Sequence, residues 1–200
     1  MRKRLLAMAL VLATLLMTAC GGSGKSYTPG TFTSNGYETE FLGFRFTTPD
    51  GFVLSDEEEL SQMMGMALDL MGDDVTEVQK KYAELTTIYE LVVADSLGAA
   101  NANITLEKTS VSVDKYIELF KEQVTSMTAM SVSLNDTEEK VTLAGAEYTK
   151  LSASVASSGM VLNQEYYMRK VGDRMMCLTL TWVDGYEDEK EAILNGFAAY

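Results

Sequence analysis

The sequence predicts an α+β fold: an antiparallel sheet covered by amphipathic helices. Three observations predict it. Strand-like runs late in the chain are separated by the hairpin residues Ser157-Ser158-Gly159 and Gly172-Asp173. Apolar residues recur at helical spacing before, between and after the strand signals. The 200 residues are 46% hydrophobic and 22% charged, a globular composition that suits one domain better than two.

Leu42, Phe44 and Phe46 alternate with Gly43, Arg45 and Thr47, the period of a strand. Thr48-Pro49-Asp50-Gly51 is turn chemistry, and Phe52-Val53-Leu54 starts a return strand. Ser55 stands three residues before Glu58, a capping box for a helix whose apolar face is Leu60, Met63, Met64, Ala67, Leu68 and Met71. Asp74 and Glu77 are placed to cap a short second helix carrying Val75, Val78, Tyr82 and Leu85. Ile88 to Val93 and Ala102 to Glu107 are rich in β-branched residues and read as strands around a loop at Gly98. Ser112 caps a further helix with Asp114 in its first turn and Val113, Tyr116, Ile117, Phe120, Val124 and Met127 on one face. A polar stretch with Asp136, Glu138 and Glu139 follows. Ala146 to Val155, Met160 to Lys170 and Met175 to Val183 then read as strands. A closing helix is expected from Tyr186 to Ala199, capped by Asp184 and Glu187, with Ile193 and Phe197 turned inward.

The first residues are an address. Arg2, Lys3 and Arg4 precede an apolar run from Leu5 to Met17, of signal-peptide length and too short to span a bilayer. The run ends in Met17-Thr18-Ala19-Cys20 and a glycine-rich exit. This junction resembles the lipobox of bacterial lipoproteins, with Met17 where Leu is commoner. The resemblance implies a diacylglyceryl group on Cys20 and cleavage between Ala19 and Cys20. It places the protein at the cell membrane, lipid-anchored, on the extracytoplasmic face. Residues 1–19 are then a signal peptide, residues 20–36 a lipidated cysteine and flexible linker, and residues 37–200 a single domain. A single acyl chain binds membranes only marginally, so two chains on one glycerol are what make such an anchor durable.

The order of elements after residue 37 resembles the PsbP-like and Mog-like fold. Phe44 to Phe52 is similar to its opening strand and turn, Leu143 to Tyr148 to its Gly-containing strand entry, and Ala192 to Phe197 to its last helix. The resemblance implies an α/β/α sandwich and an accessory or binding role, and it assigns no site residues.

Charge excludes other classes. Lys+Arg is 16 against 29 Asp+Glu, a net charge of −13, which opposes nucleic-acid binding. Removing Arg2, Lys3 and Arg4 with the signal leaves 13 basic residues and a net charge of −16. The chain has no histidine, which removes Ser-His and Cys-His nucleophiles and an imidazole acid or base. After lipidation of Cys20 the remaining thiol is Cys177, expected as a small buried hydrophobe with no disulfide partner.

Candidate sites are weighed against packing. Met63, Met64, Met66 and Met71 with Met160, Met168, Met175 and Met176 fit a core, with a partner-binding face or Cu(I) ligation as the alternatives. The acidic runs Asp56 to Glu59, Asp73-Asp74, Asp136 to Glu139 and Asp184 to Glu189 suit helix starts, and Ca²⁺ or Mg²⁺ is the alternative. Tyr166, Tyr167, Arg169 and Trp182 are candidates to line a sugar or peptide groove, with Tyr166 and Tyr167 on opposite sheet faces. No catalytic motif, cofactor loop or metal set stands out. The favoured function is a non-enzymatic envelope lipoprotein whose domain binds another envelope component, expected to be a protein, with no cofactor. The rivals are an envelope hydrolase using a carboxylate pair and a structural or stress-related lipoprotein without a small ligand.

Cys20→Ala is expected to abolish lipid attachment and leave the precursor uncleaved, read by intact mass of the membrane fraction. Normal acylation of that variant would refute the lipobox.

Overall fold

The fold is seen in a computed structural model that describes residues 25–70, 85–126, 131–157 and 160–200. The predicted signal peptide and Cys20, the helix expected around Asp74 and the turn at Ser158-Gly159 lie outside these residues. Strands β1 (Thr31–Thr33), β2 (Gly36–Thr39), β3 (Phe44–Thr47) and β11 (Phe197–Ala199) form a small antiparallel sheet in the order β1-β2-β3-β11. Strands β4 (Phe52–Leu54), β5 (Thr87–Asp95), β6 (Ala100–Lys108), β7 (Ser131–Leu143), β8 (Ala146–Ser157), β9 (Met160–Val171) and β10 (Arg174–Val183) form a seven-stranded antiparallel sheet. Its order is β4-β5-β6-β10-β9-β8-β7. Helices α1 (Glu57–Leu70), α2 (Val113–Ser126) and α3 (Glu187–Asn195) complete the described elements.

The strands pair antiparallel as expected, but the α+β class with its helix-covered sheet, and with it the α/β/α sandwich of the PsbP-like resemblance, is overturned. The molecule is mostly β, and one face of the large sheet is covered mainly by a second sheet. Four strands escape a periodicity reading, among them β2, which starts where the stretch read as linker ends. β1 lies in the Ser/Thr/Gly-rich stretch read as linker, so the folded chain starts earlier than Tyr37. β7 occupies the polar stretch around Asp136 to Glu139. β11 takes the end of the expected last helix, because the chain leaves α3 at Gly196 and pairs Phe197 with Phe46. Gly196 passes so close to β3 that a Cβ there would lie 2.6 Å from the Thr47 carbonyl oxygen. Phe197 is buried as expected, but on a strand.

The turn at Pro49 forms, with the Phe52 N–H donating to the Pro49 carbonyl and Gly51 at φ 83°. Its return strand does not pair with β3. Instead β4 crosses to the large sheet and pairs with β5. The capping box of α1 is one residue later than expected. The Glu59 N–H donates to Asp56 Oδ1 at 2.9 Å, and the Asp56 N–H to Glu59 Oε2 at 3.2 Å. Ser55 is buried, its N–H on the Val92 carbonyl. Ser112 caps α2 as read, accepting from the Lys115 N–H. Asp184 does not cap α3; it accepts from the Asn163 amide.

Two cores flank the large sheet. Between the sheets, Phe44, Phe46 and Phe197 meet Ile104, Leu178 and Leu180. On the other face, α2 lays Tyr116, Ile117, Phe120 and Val124 on Leu151, Tyr166 and Met168. Each such side chain contributes about 1.5–3 kcal/mol on full burial. The long edge strand β7 is broken in register between Asn135 and Glu139 and carries charges there, which blunts it against edge-to-edge pairing.

The join between the sheets holds a buried carboxylate. Glu90 sits at a register break in β5, between Tyr89 and Leu91, and is buried. Its oxygens accept from the Tyr27 hydroxyl at 2.6 Å and the Tyr37 hydroxyl at 2.7 Å. Burial, then the neighbouring Glu90, push the Tyr37 phenol far above its ordinary range, so it stays a donor at any working pH. A hydrogen bond to a charged group contributes about 1.5–3 kcal/mol. Tyr37→Phe is therefore expected to lower the unfolding free energy by about that much in urea titrations. An unchanged midpoint would mean that Tyr27 alone satisfies the carboxylate.

Candidate functional site: a polar floor on the helical face

Side chains alternate across a strand, so β6 presents two different surfaces. Ala100, Ala102, Ile104 and Leu106 enter the core between the sheets. Asn101, Asn103, Thr105 and Glu107 therefore point to the face that carries α2. Register places Thr181 opposite Asn101, Thr179 opposite Asn103 and Cys177 opposite Thr105. On the other side of β10, Gln164 is opposite Thr181. The result is a continuous floor of short polar side chains across the two central strands, at the place where a sheet under helices is usually apolar.

Much of the floor is buried and internally bonded. The Gln164 amide donates to Thr181 Oγ1 at 3.0 Å, and the Tyr166 hydroxyl donates to Gln164 Oε1 at 2.6 Å. The Tyr116 hydroxyl donates to Glu107 Oε2 at 2.9 Å, which ties α2 to the floor's border. Asn103 and Thr105 keep partial exposure, unlike their buried neighbours Asn101, Thr179 and Thr181. Tyr89 is paired with Thr105 across β5 and is also part-exposed, its phenol pushed up to about 12 by burial. α1 packs on β5, α2 on β7 and β9, and α3 on β6 and β10, with its buried Ile193 in the core between the sheets.

Chemically the floor offers neutral amides and hydroxyls. It holds no lysine or arginine, so an anion finds no counter-charge there. Its carboxylate, Glu107, is engaged by Tyr116 at the edge. Among the described residues no group of three or more Cys, Asp or Glu is placed to hold a metal ion.

The residues singled out from sequence fall mostly elsewhere. Tyr166 and Tyr167 do face opposite ways, each into a separate core. Arg169 lies over the Tyr148 ring at 4.9 Å and donates to the Leu42 carbonyl, so it clamps the two sheets together. Trp182 is buried, with the Lys190 ammonium 5.1 Å from its ring centroid. These side chains fill the interior and do not line an open groove. Met168, Met175 and Met176 are core residues as expected, and Met63 is half-buried. The side chains of Met64, Met66, Met71 and Met160 lie outside the described residues. The acidic runs at Asp56 and Glu187 start helices. The run at Asp136 lies on β7, and Asp73-Asp74 is outside the described residues.

Two acids of the kind a hydrolase needs are brought together, Glu139 and Glu165, but on one ammonium. Lys150 Nζ lies 3.0 Å from Glu139 and 3.6 Å from Glu165. Burial alone pushes that ammonium down, yet the bonds and charges of the two carboxylates outweigh it and raise its pKa. Glu165 also accepts from the Tyr167 hydroxyl at 2.7 Å. The space between the carboxylates is filled by a lysine, where a scissile bond or water would have to sit.

The sequence did carry a signal for the floor. Ala-Asn-Ala-Asn-Ile-Thr-Leu-Glu from Ala100 to Glu107 alternates strictly, and Thr179 and Thr181 repeat the pattern on β10. Polar alternation ordinarily marks a solvent-facing side. Only the topology shows that these two strands are central neighbours in the large sheet.

No protein family matches the sequence, and no curated protein resembles it. Solved structures of similar shape include a protein of Bacteroides thetaiotaomicron VPI-5482, with TM-score 0.44 and 10% identity over 81% of this chain and 47% of that one. The chain thus spans about half the length of that protein. LpqN of Mycobacterium tuberculosis, described as involved in cell envelope biogenesis, aligns with TM-score 0.44 and 12% identity over 78% of this chain and 82% of its own.

Cys177 lies on the floor as a buried free thiol. Burial pushes its thiol from 9.0 to about 12, despite a hydrogen bond with Thr179. A raised native pKa contributes stability that is complete below the unfolded value and is lost as pH rises through the native one. Wild-type stability is therefore expected to fall between pH 9.0 and about 12 more steeply than that of Cys177→Ala. Equal slopes in urea titrations across the accessible part of that window would refute the buried thiol.

Proposed function

We propose that the chain is a lipid-anchored, extracytoplasmic binding protein with no catalytic activity of its own, and that its polar floor takes a neutral, hydroxyl-rich ligand of the cell envelope such as a glycan segment. The observation that carries this reading is the run Asn101, Asn103, Thr105 on β6 beside Thr179 and Thr181 on β10. Amides and hydroxyls both donate and accept, which matches the mixed donor and acceptor surface of a sugar. A site built to hydrogen-bond hydroxyls discriminates strongly against analogues that lack them, because its own polar groups are then stranded. The part-exposed ring of Tyr89 supplies an apolar body with a polar tip at the rim.

The anchor rests on the junction at Cys20 together with the charged start and short apolar run. No helix among the described residues is long and apolar enough to cross a membrane. The absence of histidine and the Lys150 ammonium between Glu139 and Glu165, with Glu165 on the sheet face opposite the floor, support a non-catalytic reading.

Amide NMR of the mature chain titrated with a neutral N-acetylglucosamine oligosaccharide tests the site. Shifts are expected to concentrate at residues 101–105 and 177–181. Asn103→Ala is expected to weaken binding by about 1 kcal/mol, near fivefold. A sugar phosphate of the same size is expected to bind no better. Shifts confined to other surfaces, or binding only to an envelope protein, would refute the glycan reading.

A further inference from the structure

We propose that the domain stands end-on to its own bilayer, with the β9–β10 turn facing the lipid headgroups and the β5–β6 turn facing away. This rests on the lipid anchor at Cys20 proposed above.

The first observation is where the strap that follows Cys20 is tied. Lys25 Nζ donates to the Glu40 carbonyl at 3.2 Å. The Lys25 backbone lies so near the β9–β10 turn that a Cβ on Gly172 would sit 2.4 Å from its carbonyl oxygen. Two residues on, Tyr27 bonds Glu90, and Arg174 lies 4.8 Å over the Tyr27 ring. The segment read as a linker is thus bound to the domain from Lys25 onward. Only residues 21–24 separate that tie from Cys20. Five steps of chain, from residue 20 to 25, span roughly 18 Å at most. By contrast β6 runs from Ala100 to Lys108, and its nine residues span roughly 30 Å. The anchored end therefore cannot be far from the bilayer, and the opposite end cannot easily reach it.

The second observation is the charge at each end. Lys25, Lys108, Lys170 and Arg174 gather around the β9–β10 turn, where Arg174 is opposite Lys108 and Lys170 is opposite Met175. Their acidic neighbours there include Asp173, 3.8 Å from Lys108, and Glu40. At the other end β10 leads into α3, whose first turn is Glu187, Asp188 and Glu189. In a mature chain of net charge −16, anionic headgroups repel the acidic end most and the mixed end least. Tether and charge select the same orientation.

The test uses the full, lipidated protein in vesicles of neutral and anionic phospholipid with an acceptor dye on the headgroups. Donor dye is placed on Ser110→Cys, exposed just past β6, in one sample and on Leu97→Cys, in the exposed β5–β6 turn, in another. The buried Cys177 stays unlabelled in the native state. Transfer from position 110 is expected to exceed that from position 97 several-fold. Inserting about a dozen Gly/Ser residues after Gly24 is expected to reduce that difference. Equal transfer from both positions, in protein that co-floats with the vesicles, would overturn the orientation and leave the anchor intact. Protein with intact Cys20 that does not co-float would overturn the anchor and the orientation with it.

Discussion

The carboxylate of Glu90 organises this molecule. A carboxylate removed from water costs several kcal/mol unless it is bonded. Here the bonds come from two phenols that belong to the other side of the interface. Tyr37 sits on β2, so the small sheet is bound to β5 at a fixed position and register. Tyr27 precedes β1, so the N-terminal strap is bound as well. The register break at Glu90 is what turns the carboxylate toward the small sheet while Leu91 and Val93 still enter the same core. An apolar residue there would pack, but it would not specify which tyrosines must arrive. One polar contact thus fixes the pairing of two layers that apolar burial alone would leave free to slide.

That contact also marks where the sequence became hard to read. β3 was legible from its alternation, β5 and β6 from their β-branched residues, and the meander of β8, β9 and β10 from runs set between hairpin residues. So were α1 and the apolar face of α2. Strands stabilised from outside were not. β1, in the Gly/Ser/Thr-rich stretch whose composition reads as linker, and β2, directly after it, are held by pairing and by Tyr37. β7 is held by β8 along its length and by Lys121, which reaches from α2 to Glu138 at 2.9 Å. β11 exists because β3 offers a free edge beside a helix that ends at Gly196. In each case tertiary partners override local preference, and those partners lie far away in sequence. The missed strands are enough to replace an expected helical layer by a sheet.

The candidate site was missed for a related reason. Aromatic and charged residues drew attention to Tyr167, Arg169 and Trp182, yet these serve packing between the sheets. The floor is made of asparagine, threonine and glutamine, which look unremarkable one at a time. Their meaning comes from adjacency. β6 and β10 are 66 positions apart by their first paired residues, Lys108 and Arg174, and neighbours in space. A periodic polar face becomes informative only when its strands prove to be central neighbours on the sheet face that carries α2.

The bound strap changes the expected relation of domain to membrane. A free sixteen-residue linker would have let the acidic domain drift beyond the Debye length of about 8 Å, so that its net charge alone set its distance. With Lys25 and Tyr27 tied down, a lipid on Cys20 would let chain length set the distance instead and leave electrostatics to choose the orientation. The two contributions are separable in kind. The tether is mechanical and indifferent to salt, whereas the preference for one end weakens as salt screens it. The Glu90 contact therefore does two things at once: it registers the sheets, and through Tyr27 it shortens the leash by which the domain would be held.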